Sequence, residues 1–206
     1  MMSYGRRTGA ALCALGVAAF LAFPVFAAGE HDGVASLSLD PERSHADFEV
    51  KVLWLIGIHG RFGKVRGTIV IDRRHDTAVA DARIDVDTIT MRNRSYEEWV
   101  KSDEFFNSRA FPQIHFVSES FALDRLRSGG EIAGTLSLRG VDQRLVLQVA
   151  PSACVDAIAS ACPVEAQGTI RRSEFGMRSR RGTLSDKVEL SFSIYLAESS
   201  GQDQRR

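Results

Sequence analysis

The chain has 206 residues, with 26 Lys and Arg against 26 Asp and Glu, 44% hydrophobic residues and three cysteines. That length suits one domain. The balanced charge excludes a disordered polyelectrolyte and gives no electrostatic case for nucleic acid. A mean hydropathy of −0.10 excludes a polytopic membrane protein.

The first segment reads as an address. Arg6 and Arg7 precede an uncharged apolar run from Ala10 to Phe23, and Val25-Phe26-Ala27 offers a cleavage site. This is the build of a secretory signal peptide, too short for the roughly 20 apolar residues of a permanent span. The expectation is a signal peptide over 1–27, removed on export to the periplasm, and one domain over 28–206. Cys13 lies inside the apolar run and is lost with it. Cys154 and Cys162, with seven residues between them, are then predicted to form one local disulfide. Closing so short a loop stabilises by roughly 2.5 kcal/mol in the chain-entropy model.

The rest of the chain has a rhythm of two. Val188, Leu190, Phe192, Ile194 and Leu196 alternate with Lys187, Glu189, Ser191, Ser193 and Tyr195, which predicts a strand with one buried and one wet face. The pattern recurs at Phe48, Val50 and Val52, at Ala82, Ile84 and Val86, at Ile114 and Phe116, and at Leu145, Leu147 and Val149. Thr68–Ile71 and Thr135–Leu138 add two more strand-like runs. Gly57, Gly60, Gly63 and Gly67 read as turn glycines, with further turn signals at Asp72–Asp76, Ser128–Gly130, Gly140–Asp142 and Gly182. Many short strands of this kind predict an all-β sandwich or barrel. One helix interrupts them. Ser95 and Glu98 match a capping box, and Tyr96, Trp99 and Val100 fall at helical spacing, so a short helix is predicted from Tyr96 to about Ser102 as a plug or lid.

No catalytic constellation stands out. The five histidines form no metal-binding array, and there is neither a Gly-x-Ser-x-Gly elbow nor a phosphate loop. The expectation is a non-enzyme without metal or cofactor. Two features rise above background. Aromatic residues gather at inward or segment-end positions, and five arginines, Arg171, Arg172, Arg178, Arg180 and Arg181, crowd into eleven residues. Guanidinium groups in such a cluster suit a phosphate or other anionic head group.

The motifs, taken in order, resemble those of the YceI-like family of exported, lipocalin-like polyisoprenoid-binding proteins. They are Leu39-Asp40-Pro41 opening a strand with Ser44 and Phe48, Gly60-Arg61-Phe62, Gly67-Thr68-Ile69 with Asp72, Ile84-Asp85-Val86 and Phe105-Phe106. Phe111-Pro112-Gln113-Ile114-His115-Phe116, Gly134 to Val141 and Arg172 to Met177 complete the series. Departures stand at Arg43, at Lys51-Val52, at Ser95 and at Asp142, where the family often has other residues. The resemblance implies an eight-stranded antiparallel lipocalin-like barrel, capped by one short helix, that holds an isoprenoid quinone or polyprenyl phosphate as cargo. It makes the protein a carrier or sequestering protein; a lipid-free envelope barrel and an enzyme acting on a lipid or amide in the same cavity are the other readings. The expected ligand-binding residues are Phe48, Trp54, Phe62, Ile114, Phe116, Leu138, Phe175 and Phe192 in the wall, Phe105 and Phe106 near the helical plug, and Arg172 with its neighbours at the mouth. Expected partners are the lipid, a transient membrane surface and, through exposed strand edges, a second copy in a homodimer.

Overall fold

A computed structural model describes residues 33–154, 161–180 and 182–197. The signal-peptide expectation, Cys13 included, and Arg181 lie outside the described residues. The chain forms β1 (Val34–Ser38), β2 (His45–Val52), β3 (Ile56–Gly63), β4 (Val65–Asp72), β5 (Thr77–Asp85), β6 (Ile89–Met91), β7 (Gln113–Ser118), β8 (Phe121–Ala122), β9 (Gly130–Leu138), β10 (Val141–Val149), β11 (Val164–Arg171) and β12 (Leu184–Ile194). Helix α1 (Arg94–Lys101) follows β6, and α2 (Arg125–Ser128) is a single turn after β8. Short 3-10 turns occupy Val86–Thr88 and Arg172–Phe175.

All the ladders are antiparallel. The strands form one sheet in the order β1-β4-β5-β7-β9-β10-β11-β12-β2-β3-β6, with β8 attached to β5 off this path. The all-β, antiparallel expectation holds; the eight-stranded closed barrel does not. Among the described residues eleven strands follow one another in a curled half-barrel whose end strands, β1 and β6, are not partners of each other. A lone bridge between Leu39 and Leu196 ties the segment after β1 to the segment after β12. The count differs because β6 and β8 are too short to show an alternation, and because β3 is disguised by glycine. Gly57, Gly60 and Gly63 lie inside β3 rather than at turns, and Gly67 lies in β4. Leu39-Asp40-Pro41 also does not open a strand. It turns the chain out of β1, with the Asp40 carboxylate accepting from the Glu42 and Arg43 amides.

The alternation decides the faces. In β12, Leu190 stands opposite Gly168 on one side and Phe48 on the other, and Phe192 stands opposite Ala166 and Ala46. Each of these large side chains thus has a small residue on at least one side, Gly168 beside Leu190 and Ala166 and Ala46 beside Phe192, and the inner surface packs without overfilling. Gly60 serves the same end: a Cβ there would lie 2.4 Å from the Phe48 ring. At Gly134 it would lie 2.6 Å from the ring of Phe116. Two strand glycines are therefore the space in which two aromatic rings of the inner face lie.

The helix starts earlier than its sequence predicts. Asn93, in extended conformation, is the N-cap, and its side chain accepts from the Ser95 amide at 2.9 Å. Ser95 lies inside the first turn, and the acidic residue that reaches back is Glu97, which accepts from the Met91 amide. The helix begins two residues sooner because Asn93 supplies the N-cap acceptor, bonding the Ser95 amide that the predicted box left to Glu98. A disulfide joins Cys154 and Cys162, whose Cα atoms are 6.1 Å apart.

Candidate functional site

The inward-facing residues of nearly every strand surround one apolar cavity of about 190 Å³. Its ionisable lining side chains are Asp47, Tyr96 and Arg172. The Asp47 carboxylate is held in a two-point pair by Arg61, 2.6 and 2.9 Å away. That leaves the interior dominated by Leu, Ile, Val and Phe. A space of this size exceeds the roughly 150 Å³ that holds a benzene ring and falls short of the ~300–1,000 Å³ of drug-sized pockets. It suits a slender apolar chain better than a broad ring system.

Aromatic rings shape one end. Phe48, Phe62 and Phe106 pack as a trio, with centroids 5.6, 6.0 and 5.3 Å apart. Beside them Trp99 of α1 meets Phe105 edge-on at 4.5 Å, and Tyr96 lies 6.4 Å from Trp99. Helix α1 and the residues that follow it therefore cover this end of the cavity with Tyr96, Trp99, Val100, Phe105 and Phe106, all of which line it. A helix in that place is what the sequence suggests for a plug.

The corner beside α1 is built around a buried cation. Arg172 is 2% exposed. Its Nε donates to Ser185 O, Nη1 to Met177 O and Ser179 O, and Nη2 to Leu184 O, all within 3.1 Å. One planar guanidinium thereby ties the 3-10 turn, the following loop and the start of β12 together. Asp186 braces the same turn, accepting from the Ser173 amide and hydroxyl at 3.0 and 2.8 Å. Burial opposes the charge on Asp186, but the two Ser173 bonds and the charges of Arg172 and Arg171 outweigh it and lower its pKa.

The structure places three of the expected ligand-binding residues elsewhere than the sequence suggests. Arg172 does not lie at an open mouth: it is buried in the cavity lining, with four hydrogen bonds directed into backbone carbonyls. Its neighbours have separate surroundings: Arg180 lies 5.0 Å over the Trp99 ring, while Arg171 and Arg178 are exposed. Trp54 is not part of the wall either. It sits at the tip of the β2–β3 hairpin, 71% exposed, where the strand pattern has already ended. Phe175 is 1% exposed but packs beneath the corner, outside the cavity lining. The structure does bring together Phe48, Phe62, Phe105, Phe106, Ile114, Phe116, Leu138 and Phe192 around the cavity.

Comparison with known proteins agrees with this geometry. A YceI-like domain model matches residues 37–196. The chain belongs to the YceI-like family. Protein YceI of Salmonella arizonae is 27% identical over 167 residues, which is 78% of this chain and 85% of that one. Among solved structures, BcnA of Burkholderia cenocepacia superposes with a TM-score of 0.61 at 22% identity, covering 77% of this chain and 99% of its own. A polyisoprenoid binding domain from Saccharophagus degradans, implicated in plant cell wall breakdown, gives 0.58 at 16% identity, covering 79% and 98%. At these identities the structural matches establish the shared fold.

Within this YceI-like fold, sequence reasoning named Ile114 and Leu138 but missed most of the aliphatic part of the wall. Ile69, Leu136, Leu147 and Val188 line the cavity as fully as the aromatics do. The period-two pattern marks their strands, so inward parity along β4, β9, β10 and β12 was the available signal. Trp99 and Met177 carry no such signal, since a helix and a loop bring them to the cavity.

Proposed function

We propose that the protein is a periplasmic carrier or sequestering protein for a polyisoprenoid lipid, an isoprenoid quinone or a polyprenyl phosphate, with its tail inside the half-barrel. The observation that carries this reading is the apolar cavity of about 190 Å³ among the described residues, covered at one end by aromatic side chains. The Saccharophagus relative supports it by its described ligand class. Each buried methylene contributes ~0.8 kcal/mol before ordering costs, so a dozen tail carbons support micromolar or tighter binding without catalytic machinery.

A lipid-free envelope barrel is the second reading, and the aromatic trio favours it, because Phe48, Phe62 and Phe106 already fill part of the interior. Native mass spectrometry of protein purified from the periplasm, with organic extraction alongside, separates the two. The carrier reading expects a stoichiometric adduct of prenyl-lipid mass, lost when Phe116 and Phe192 are both replaced by Asp in a variant whose circular dichroism stays native. A bare protein mass that persists after incubation with quinones and polyprenyl phosphates sinks the carrier reading.

A further inference from the structure

The tip of the β2–β3 hairpin contradicts its own backbone. Val52 O accepts from the Leu55 amide at 3.1 Å, and the two residues between, Leu53 and Trp54, have φ of 48° and 65°. Positive φ at both central positions is the signature of a type I′ turn, for which Asn-Gly is the favoured pair. Bulky L-residues are disfavoured there. These side chains gain nothing by folding, since Leu53, Trp54, Leu55 and Ile56 are all exposed, Leu55 to 88%. Four consecutive apolar residues at the end of a hairpin, strained and unburied, have a use outside the fold.

Their surroundings say which use. The Leu53 amide donates to Thr183 O at 2.8 Å, which docks the tip on the segment that carries exposed Arg178 and Arg180. Lys51, at the base of the tip, is exposed as well. Deeper on the outer face Lys187 bonds Glu189, which that bond and the charges of Lys187 and Lys51 hold below its ordinary pKa, and Glu49 stands opposite Glu189 in the ladder. The lysines and acids therefore balance there, and the cationic excess at the tip comes from Arg178 and Arg180. An apolar finger ending in Leu-Trp-Leu-Ile and flanked by cations matches the layering of an anionic bilayer surface, where indole prefers the interface and basic groups meet the head groups. The position fits too. Val52 pairs with Leu184, which lines the cavity, and Arg180 stacks on Trp99 of the covering helix. The finger therefore stands at the end of the cavity that α1 covers.

We infer that the Leu53–Ile56 tip, with Arg178 and Arg180, is a docking surface for an anionic phospholipid membrane. This goes beyond the carrier reading and does not depend on which cargo is carried, since membrane attachment and lipid retention are read separately.

The test is co-sedimentation with vesicles of phosphatidylcholine and phosphatidylglycerol, about three to one, together with tryptophan emission. The wild-type protein sediments with these vesicles, binds pure phosphatidylcholine more weakly, and shows a blue shift from Trp54. Leu53→Asn/Trp54→Gly installs the favoured turn pair, so it folds with an unchanged or raised melting temperature, yet loses membrane binding by at least about tenfold. Arg178→Gln/Arg180→Gln keeps the finger and removes the preference for anionic lipid. Equal sedimentation of the Asn-Gly variant, or no sedimentation of the wild type, overturns the inference. So does a wild-type dimer in analytical ultracentrifugation that the Asn-Gly variant abolishes, which would give the tip to a second copy of the chain.

Discussion

Phe62 on the cavity wall and Arg172 at the corner beside α1 are both buried, 4% and 2% exposed, but different physics holds them. Phe62 is one of many apolar side chains on a curled surface, and its neighbours Phe48 and Phe106 share its contacts. Arg172 is a single cation whose four bonds to backbone carbonyls fix three separate pieces of chain. Hydrophobic burial is non-directional and tolerates exchange of one apolar group for another of similar volume. A hydrogen-bonded buried cation is directional and does not. The wall can therefore vary to suit a ligand, while the corner that supports its covered end cannot.

The sharpest way to break this contrast is Arg172→Met. Methionine fills much of the space but leaves the carbonyls of Met177, Ser179, Leu184 and Ser185 without the guanidinium. Uncompensated buried polar groups of this kind cost on the order of 3–5 kcal/mol. Urea denaturation should show the midpoint falling accordingly. Arg172→Lys should recover little of the loss, because a point ammonium cannot reach four divergent acceptors. A Met variant with wild-type stability would show that the corner is held by packing alone.

Phe62→Ala probes the wall. Truncating a core Phe typically costs about 3–5 kcal/mol, and the lower end is expected here because one side of the ring already faces a cavity. The variant should remain folded, and its cavity should be larger. Extracted lipid should then shift toward bulkier or longer tails, read by native mass spectrometry. Loss of folding at this position would mean that the aromatic trio is a structural keystone rather than an adjustable lining.

The same contrast explains what the sequence makes legible. The wall is written in parity: Val188, Leu190 and Phe192 face inward because alternate residues of a strand must, and one sequence suffices to read it. Gly60 hides its role, since only the structure reveals the Phe48 ring lying across it. The corner is written in no periodic signal. Arg172 sits among four other arginines, and a cluster of guanidinia reads as a surface for anions until its carbonyl partners are located. Trp54 misleads in the opposite direction, because an aromatic residue at a strand end looks like core when the turn conformation that exposes it is unknown. Residues set by repetition are readable; residues set by a single long-range partner are not.

Asp186 provides the finest test of the corner. Asn at this position keeps one acceptor for Ser173 and loses the charge opposite Arg172 and Arg171, so Asp186→Asn should cost about 1 kcal/mol near neutral pH. Its folded pKa lies below the ordinary carboxyl value of 3.8. The stabilisation from the carboxylate is therefore fully present above the unfolded pKa and is lost as pH falls through the folded one. Denaturation midpoints of wild type and Asp186→Asn, measured down the acid limb, should converge there, because protonation makes the aspartyl group neutral like the amide. A gap that persisted unchanged into acid would assign the loss to the geometry of the Ser173 bonds, and the charge of Asp186 would then have no part in holding the turn beneath Arg172.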